Sequence, residues 1–224
     1  MTSSSSARRP VCARCQRAQS ACICQWVIPV AHAVEVLVLQ HPLEVGHAKG
    51  SARLLHLCLP HSRLAVGEAF AEQELSALLH EPFAPCTQAS KSQAPPRHAI
   101  LLYPDTPAGT APVPPLAGVP LDDPGRLRLV VLDGTWRKSR KMLYANPLLQ
   151  ALPRLALREP PASQYLIRKA HGAHQLSTLE AACYALMHLE QDEAKYRPLL
   201  QAFNGFVAQQ LAFRPQQAPA GQSC

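Results

Sequence analysis

Cys12, Cys15, Cys22 and Cys24 sit close together in "VCARCQRAQSACICQ", the first two as C-x-x-C and the second two as C-x-C. A C-x-x-C turn lets two thiolates reach one ion, and the second pair completes a tetrahedral sulfur site for zinc. Redox chemistry is the rival use of C-x-x-C, but that motif follows a strand and opens a helix. Here the flanks are polar and turn-like, so structural zinc is the expectation. The stretch "MTSSSSARRP" carries cations with no apolar run behind it, so no secretory leader is expected. The thiols are therefore read in a reducing cytoplasm, where structural disulfides are rare. Cys58 and Cys183 fall in apolar helical patterns and read as small core residues, while Cys86 and Cys224 are isolated.

A second constellation lies in "LRLVVLDGTWRKSRKML", from Leu127. An apolar strand ends at Leu132 and Asp133. Gly134 allows a sharp turn or close ligand approach, and Thr135 can cap the following helix. Trp136 at a helix start beside a crevice can stack on a base or wall a pocket. The plain alternative makes Asp133 or Thr135 only an N-cap. Arg137, Lys138, Arg140 and Lys141 cannot all share one helical face. Cations in a first turn oppose the helix macrodipole, which a bound phosphate would relieve. The plain reading of that run is a solvated helix end.

Two further motifs have structural explanations of their own. In "LSTLEA", Ser177 and Glu180 form a capping box that requires no ligand, although the turn's backbone could still contact one. In "HPLEVGH", His41, Glu44 and His47 are three apart, but Pro42 and Gly46 argue against a regular helix, and no metal site is assigned there.

The elements that must position these residues alternate. Strands are expected over 31–41, in "SRLAVGEA", over 98–105, in "RLRLVVLDGT" and in "RLALRE". Helices are expected in "SARLLHLCL", "EQELSALLH", "WRKSRKMLYANPLLQAL", "STLEAACYALMHLE" and "EAKYRPLLQAFNGFVAQQLAF". Leu179, Ala182, Cys183, Leu186 and Leu189 line one helical face. Residues 106–125 are a Pro/Gly/Ala-rich surface excursion. The pattern predicts an α/β fold, a mostly parallel sheet with helices on both faces. Ligands bind beyond the carboxyl ends of such strands, where "LYPDT", "LDGTW" and "QLSTLEA" fall. No G-x-G-x-x-G or Walker loop is present.

The chain has 224 residues, with 22 Lys and Arg against 15 acids and a net charge of +7, which leans towards a polyanionic partner. No segment approaches a membrane span. The expected division is a tail and four-cysteine knuckle over 1–26, a catalytic domain over 27–214, and a disordered tail over 215–224.

These residues together resemble the DTW-domain family of tRNA-uridine aminocarboxypropyltransferases. "LDGTW" matches the D-x-T-W signature. The cysteine pairs, "HPLE" with "SARLL", "LLYP", "LDGTWRKSRKML" with "NP", and "LSTLEA" follow in the family's order along almost the whole chain. The resemblance implies a SPOUT-like α/β fold with a carboxyl-terminal trefoil knot. It also implies S-adenosylmethionine as substrate and transfer of its 3-amino-3-carboxypropyl group to N3 of a tRNA uridine. Asp133, Thr135 and Trp136 would then be catalytic, with Asp133 as base or orienting acceptor for the uridine N–H. Leu102, Tyr103, Pro104, Leu132, Gly134, Leu176, Ser177 and Thr178 would hold S-adenosylmethionine. Arg137, Lys138, Arg140, Lys141, Arg168 and Lys169 would meet the tRNA backbone. His41, Glu44 and Arg53 are candidate lining residues. Two other functions share these features: a SPOUT-type RNA methyltransferase, and a non-catalytic zinc-containing RNA-binding protein.

Overall fold

Runs rich in Val, Leu and Ile form β1 (Glu35–Gln40), β2 (Ser62–Val66), β3 (His98–Leu102), β4 (Leu127–Asp133) and β5 (Arg154–Leu155). They were traced in a computed structural model that describes residues 10–83, 95–104, 114–158, 161, 163 and 176–213. The strands make one sheet in the order β2-β1-β4-β3-β5, with every pairing parallel. β1 and β4 are buried at every residue, as strands covered on both faces must be.

The helices are α1 (Ala52–Cys58), α2 (Glu72–His80), α3 (Trp136–Ala145), α4 (Pro147–Gln150), α5 (Thr178–Glu190) and α6 (Glu193–Ala212). Alternating strand residues feed two cores. Val36, Val38, Leu129 and Val131 pack with α1, α5 and α6, and Cys58 and Cys183 belong to this core as small buried residues. Leu37, Leu39, Val130 and Leu132 pack with α2, α3 and α4 on the other face. Helices therefore cover both faces, and the expected buried stripe of α5 is present from Leu179 to Leu189.

Several boundaries differ from expectation. The first strand begins at Glu35 because the preceding residues turn: His32 Nδ1 meets the Val34 carbonyl at 2.7 Å. The long helix from Trp136 is broken at Asn146, which is extended (φ −126°, ψ 93°) ahead of Pro147, the conformation a residue before proline prefers. The last strand contributes only Arg154 and Leu155 to the sheet. The expected terminal tails (1–9 and 215–224), Cys86, Asp105, Arg168, Lys169, Cys224 and the insert up to 113 lie outside the described residues.

The amino ends of β1 and β4 carry a buried charge pair. Arg128 is 0% exposed and donates through Nε and Nη2 to Glu35, through Nη1 to the Leu78 carbonyl at 2.6 Å, and through Nη2 to the Glu81 carbonyl. Its guanidinium lies 3.8 Å from the centre of the Phe83 ring. Burial lowers the Arg128 pKa, while Glu35 opposes that shift. This pair is opposite the carboxyl edge, where the site candidates gather.

Candidate active site and metal centre

The chain leaves β1 towards β2 on one side of the sheet and leaves β4 towards β5 on the other. Adjacent strands whose connections diverge open a crevice at their carboxyl ends. The last residues of these two strands, Gln40 and Asp133, are register partners.

Asp133 is the centre of that crevice. Only 4% exposed, it accepts from Gln40 Nε2 at Oδ2 (2.8 Å) and from Thr178 Oγ1 at Oδ1 (2.6 Å). Its carbonyl accepts from the His41 amide at 3.0 Å. One carboxylate thus ties together β1, β4 and the first residue of α5. Asp133 is not the helix cap. That role belongs to Thr135, whose side chain accepts from the Lys138 amide at 3.4 Å. Gly134 is explained by space: an added Cβ would stand 3.1 Å from Lys138 Cβ and 3.4 Å from Ser139 Oγ. Its φ is not in the left-handed region, so the sharp turn expected there is not what requires glycine.

The three strand-end loops converge. Tyr103 follows β3 and meets Trp136 edge-on, with ring centroids 6.0 Å apart. Burial raises the Tyr103 pKa, which keeps it a hydroxyl donor. Trp136 is 53% exposed, so its indole faces solvent at the crevice mouth. Leu102 and Leu132 pack into the two cores on either side, and Pro104 is exposed. Leu176 is half-buried, and the Ser177–Glu180 capping box is complete: Ser177 Oγ accepts from the Glu180 amide at 3.2 Å, and Glu180 Oε2 accepts from the Ser177 amide at 2.8 Å. Thr178 thus reaches Asp133 at the end of β4, and Tyr103 reaches Trp136 three residues beyond it.

Two members of the cation run are ion-paired. Lys138 Nζ pairs with the buried Glu44 at 2.8 Å, and Lys141 Nζ pairs with Glu68 at 2.8 Å. Arg137, Arg140 and Lys141 are all exposed. Lys141 and His41 together hold the Glu68 carboxyl below its usual range. His41 Nε2 lies 2.9 Å from Glu68, and its Nδ1 accepts from the Leu43 amide at 3.1 Å. With both ring nitrogens engaged, His41 is the tautomer protonated on Nε2. Arg53 Nη2 donates to the Arg14 carbonyl at 2.8 Å, in the cysteine knuckle.

Sequence reasoning missed Gln40, Glu68 and the role of Asn146. Asn146 Nδ2 donates to the Glu68 carbonyl at 2.9 Å, and its Oδ1 accepts from the Phe70 amide at 2.9 Å, fixing the loop that carries Glu68. The available signal for Gln40 and Glu68 was position alone: each lies at or just beyond the end of a strand.

The four cysteines form the second centre. Their sulfurs all lie within 4.8 Å of one another, with Cys12–Cys24 at 3.7 Å and Cys15–Cys22 at 3.8 Å. Sulfurs about 2.3 Å from a central zinc, at tetrahedral angles, are about 3.8 Å apart, whereas a disulfide needs about 2.0 Å. The donor set fits zinc in a closed structural site. Backbone hydrogen bonds from Cys15 and Arg14 lower the Cys12 pKa to about 6, and burial with neighbouring thiols raises Cys24 to about 12. The knuckle is fastened to α6: Trp26 Nε1 donates to Gln209 Oε1 at 2.6 Å, and Gln209 Nε2 donates to the Cys22 carbonyl at 3.0 Å. Gly205 permits this, since a Cβ there would fall 2.2 Å from the Trp26 ring. No helix among the described residues is long and apolar enough to cross a membrane.

A family model described as the DTW domain matches residues 9–211. A Mus musculus protein named tRNA-uridine aminocarboxypropyltransferase 2 is 31% identical over 91% of this chain and 64% of its own length. Proteins of the same name from Macaca fascicularis and Drosophila melanogaster are 29% and 27% identical over 91% of this chain, covering 64% and 76% of their lengths. The chain thus spans a little under two thirds of the mouse and macaque relatives. No solved structure matches it.

Proposed function

The chain belongs to the DTW domain family, and from that premise we propose that it transfers the 3-amino-3-carboxypropyl group of S-adenosylmethionine to N3 of a tRNA uridine, releasing methylthioadenosine. The observation that carries this reading is the doubly held, buried Asp133 at the divergence of β1 and β4, with Trp136 exposed beside it. The names of these relatives supply the reaction class.

The sulfonium of S-adenosylmethionine is already an activated leaving group: its bond to the γ-carbon breaks as the bond from uridine N3 forms. Uracil N3 is a poor nucleophile while protonated, so this chain must direct and remove that proton. Gln40 and Thr178 fix the Asp133 carboxylate from two sides and orient it as the acceptor for the N3–H. Positioning is then the main demand, because the γ-carbon and not the methyl must face the base. Tyr103 and Trp136 form an aromatic wall suited to stacking. Backbone groups of Leu102–Pro104, Leu132–Gly134 and Leu176–Thr178 would line the cosubstrate. Arg137 and Arg140 would face the tRNA backbone, together with Arg168 and Lys169. Lys138 and Lys141 hold Glu44 and Glu68 and shape the same rim.

Cys12, Cys15, Cys22 and Cys24 would hold zinc. Four thiolates leave no open coordination position, so its contribution is structural. The reading carries with it the SPOUT-like carboxyl-terminal trefoil knot, a cytoplasmic location, and the division into tail with knuckle (1–26), catalytic domain (27–214) and tail (215–224).

Nucleoside analysis of tRNA from a strain lacking this protein tests the reading. Loss of an aminocarboxypropyluridine, restored by the gene, is the expected result. An unchanged nucleoside profile would contradict it, and loss of a methylated nucleoside would indicate a methyltransferase.

A further inference from the structure

Arg17 lies in the cysteine knuckle, yet its guanidinium reaches out of it. Nη2 donates to the Gly50 carbonyl at 2.7 Å and Nη1 donates to the Ala48 carbonyl. The guanidinium also stands 5.1 Å from the centre of the Phe206 ring on α6. A planar fork with fixed donors suits two neighbouring carbonyls, and a flexible ammonium does not reproduce it.

The knuckle sets where Arg17 sits. The Cys12 amide donates to the Arg17 carbonyl at 2.8 Å, and the Gln16 amide donates to the Cys12 carbonyl at 2.8 Å. Gln16 is one of two non-glycine residues with positive φ (58°) among those described, so this turn is tightly wound. The geometry of the C-x-x-C turn and the aim of Arg17 are therefore one structural unit.

The segment that Arg17 grips leads to the crevice at both ends. Just before it, Glu44 pairs with Lys138 of α3. At its end, Ser51 is 3% exposed and its Oγ accepts from the Leu179 amide at 3.2 Å, satisfying a donor in the first turn of α5. Thr178, the residue before Leu179, donates to Asp133. The order of contacts is cysteine turn, Arg17, Ala48 and Gly50, Ser51, Leu179 and Thr178, then Asp133.

We propose that Arg17 is a positioning residue: it couples the four-cysteine knuckle to the crevice by holding segment 46–51, and through Ser51 it sets the first turn of α5 against Asp133. The catalytic part of this inference rests on the proposed transferase reading; the structural coupling does not.

Hydrogen exchange on the full-length, metal-loaded protein tests the coupling, with metal content measured on the same samples. In Arg17→Ala, amides of 46–51 and of the first turn of α5 should exchange about 10-fold faster or more, since two charge-assisted hydrogen bonds are lost. Metal content should equal that of the parent, because the cysteines are untouched. Arg17→Lys, which can still reach one carbonyl, should recover part of the protection and serves if the alanine variant folds poorly. Chelation of the parent's metal should accelerate exchange in the same two segments. If the transferase reading holds, Arg17→Ala should also lower kcat about 10-fold with the KM for tRNA unchanged, whereas a direct phosphate contact would raise KM. Unchanged exchange at 46–51 in both variants, or acceleration that stops short of α5, overturns the coupling. Absence of transfer in the parent with accelerated exchange in the variants overturns only the reaction.

Discussion

Thr178 Oγ1 lies 2.6 Å from Asp133 Oδ1, joining the first residue of α5 to the last residue of β4. With Gln40 on the other oxygen, the carboxylate has one orientation. Asp133→Asn removes the charge and places an amide where two donors already converge. Single-turnover transfer to unmodified tRNA should fall by about 10²- to 10⁴-fold, the range of general acid–base help. Raising the pH should restore part of the rate, because hydroxide can then deprotonate uracil N3. Because Thr135 and not Asp133 caps α3, a nearly silent variant could not be explained by preserved capping. It would mean that another group takes the proton.

The Glu35–Arg128 pair should matter to stability alone. Glu35→Ala leaves Arg128, 0% exposed, with two carbonyls and no counter-charge. Breaking such a buried pair costs about 3 to 5 kcal/mol. Urea unfolding should show that loss, while transfer by the folded fraction stays near that of the parent. The pair is at the amino edge of the sheet, opposite the crevice.

Acid stability should depend on Glu190. Burial acts to raise its carboxyl, but Lys195 and the Val34 and Ala33 amides outweigh that and hold it below the usual range. Its folded pKa is thus lower than the unfolded value of about 4.3. The stabilisation is complete above that value and disappears as pH falls through the lower, folded one. Melting temperatures of the parent and Glu190→Gln should differ by a constant amount from neutral pH down to the ordinary carboxylate range. The gap should close below it, and a gap that persists in stronger acid would exclude this linkage.

Arg137 and Arg140 are exposed members of the cation run; Lys141 is exposed as well but pairs with Glu68. Replacing both with alanine should weaken tRNA binding and lower its salt slope by about 1.5, at 0.7 to 0.9 per phosphate. S-adenosylmethionine affinity, read by calorimetry, should be unaffected. An unaltered slope would move the docking surface to Arg168 and Lys169 or to the knuckle. Lys138 is unsuited to this test, since removing it breaks an ion pair with the buried Glu44.

Much of this was legible in the residues themselves, for local reasons. "EQELSALLH" is the whole of α2, the capping box places the start of α5, and the apolar run to Asp133 is β4. The cysteine spacing alone announced a cluster of four sulfurs. What escaped depends on pairing between distant segments. Gln40 meets Asp133 across 93 positions, and Lys138 meets Glu44 across 94. No periodicity encodes such contacts; the parallel register of β1 and β4 creates them. The break at Asn146 is a different case, because Pro147 signalled it and the apolar spacing across it concealed the signal.

The most direct test of the reaction uses purified protein with S-adenosylmethionine and unmodified tRNA, followed by nuclease digestion and mass spectrometry of the nucleosides. The expected result is a uridine carrying the 3-amino-3-carboxypropyl group, with methylthioadenosine formed in equal amount and neither product formed without the tRNA. A methylated uridine with S-adenosylhomocysteine, or no modified nucleoside from zinc-replete protein that binds both substrates, would contradict it.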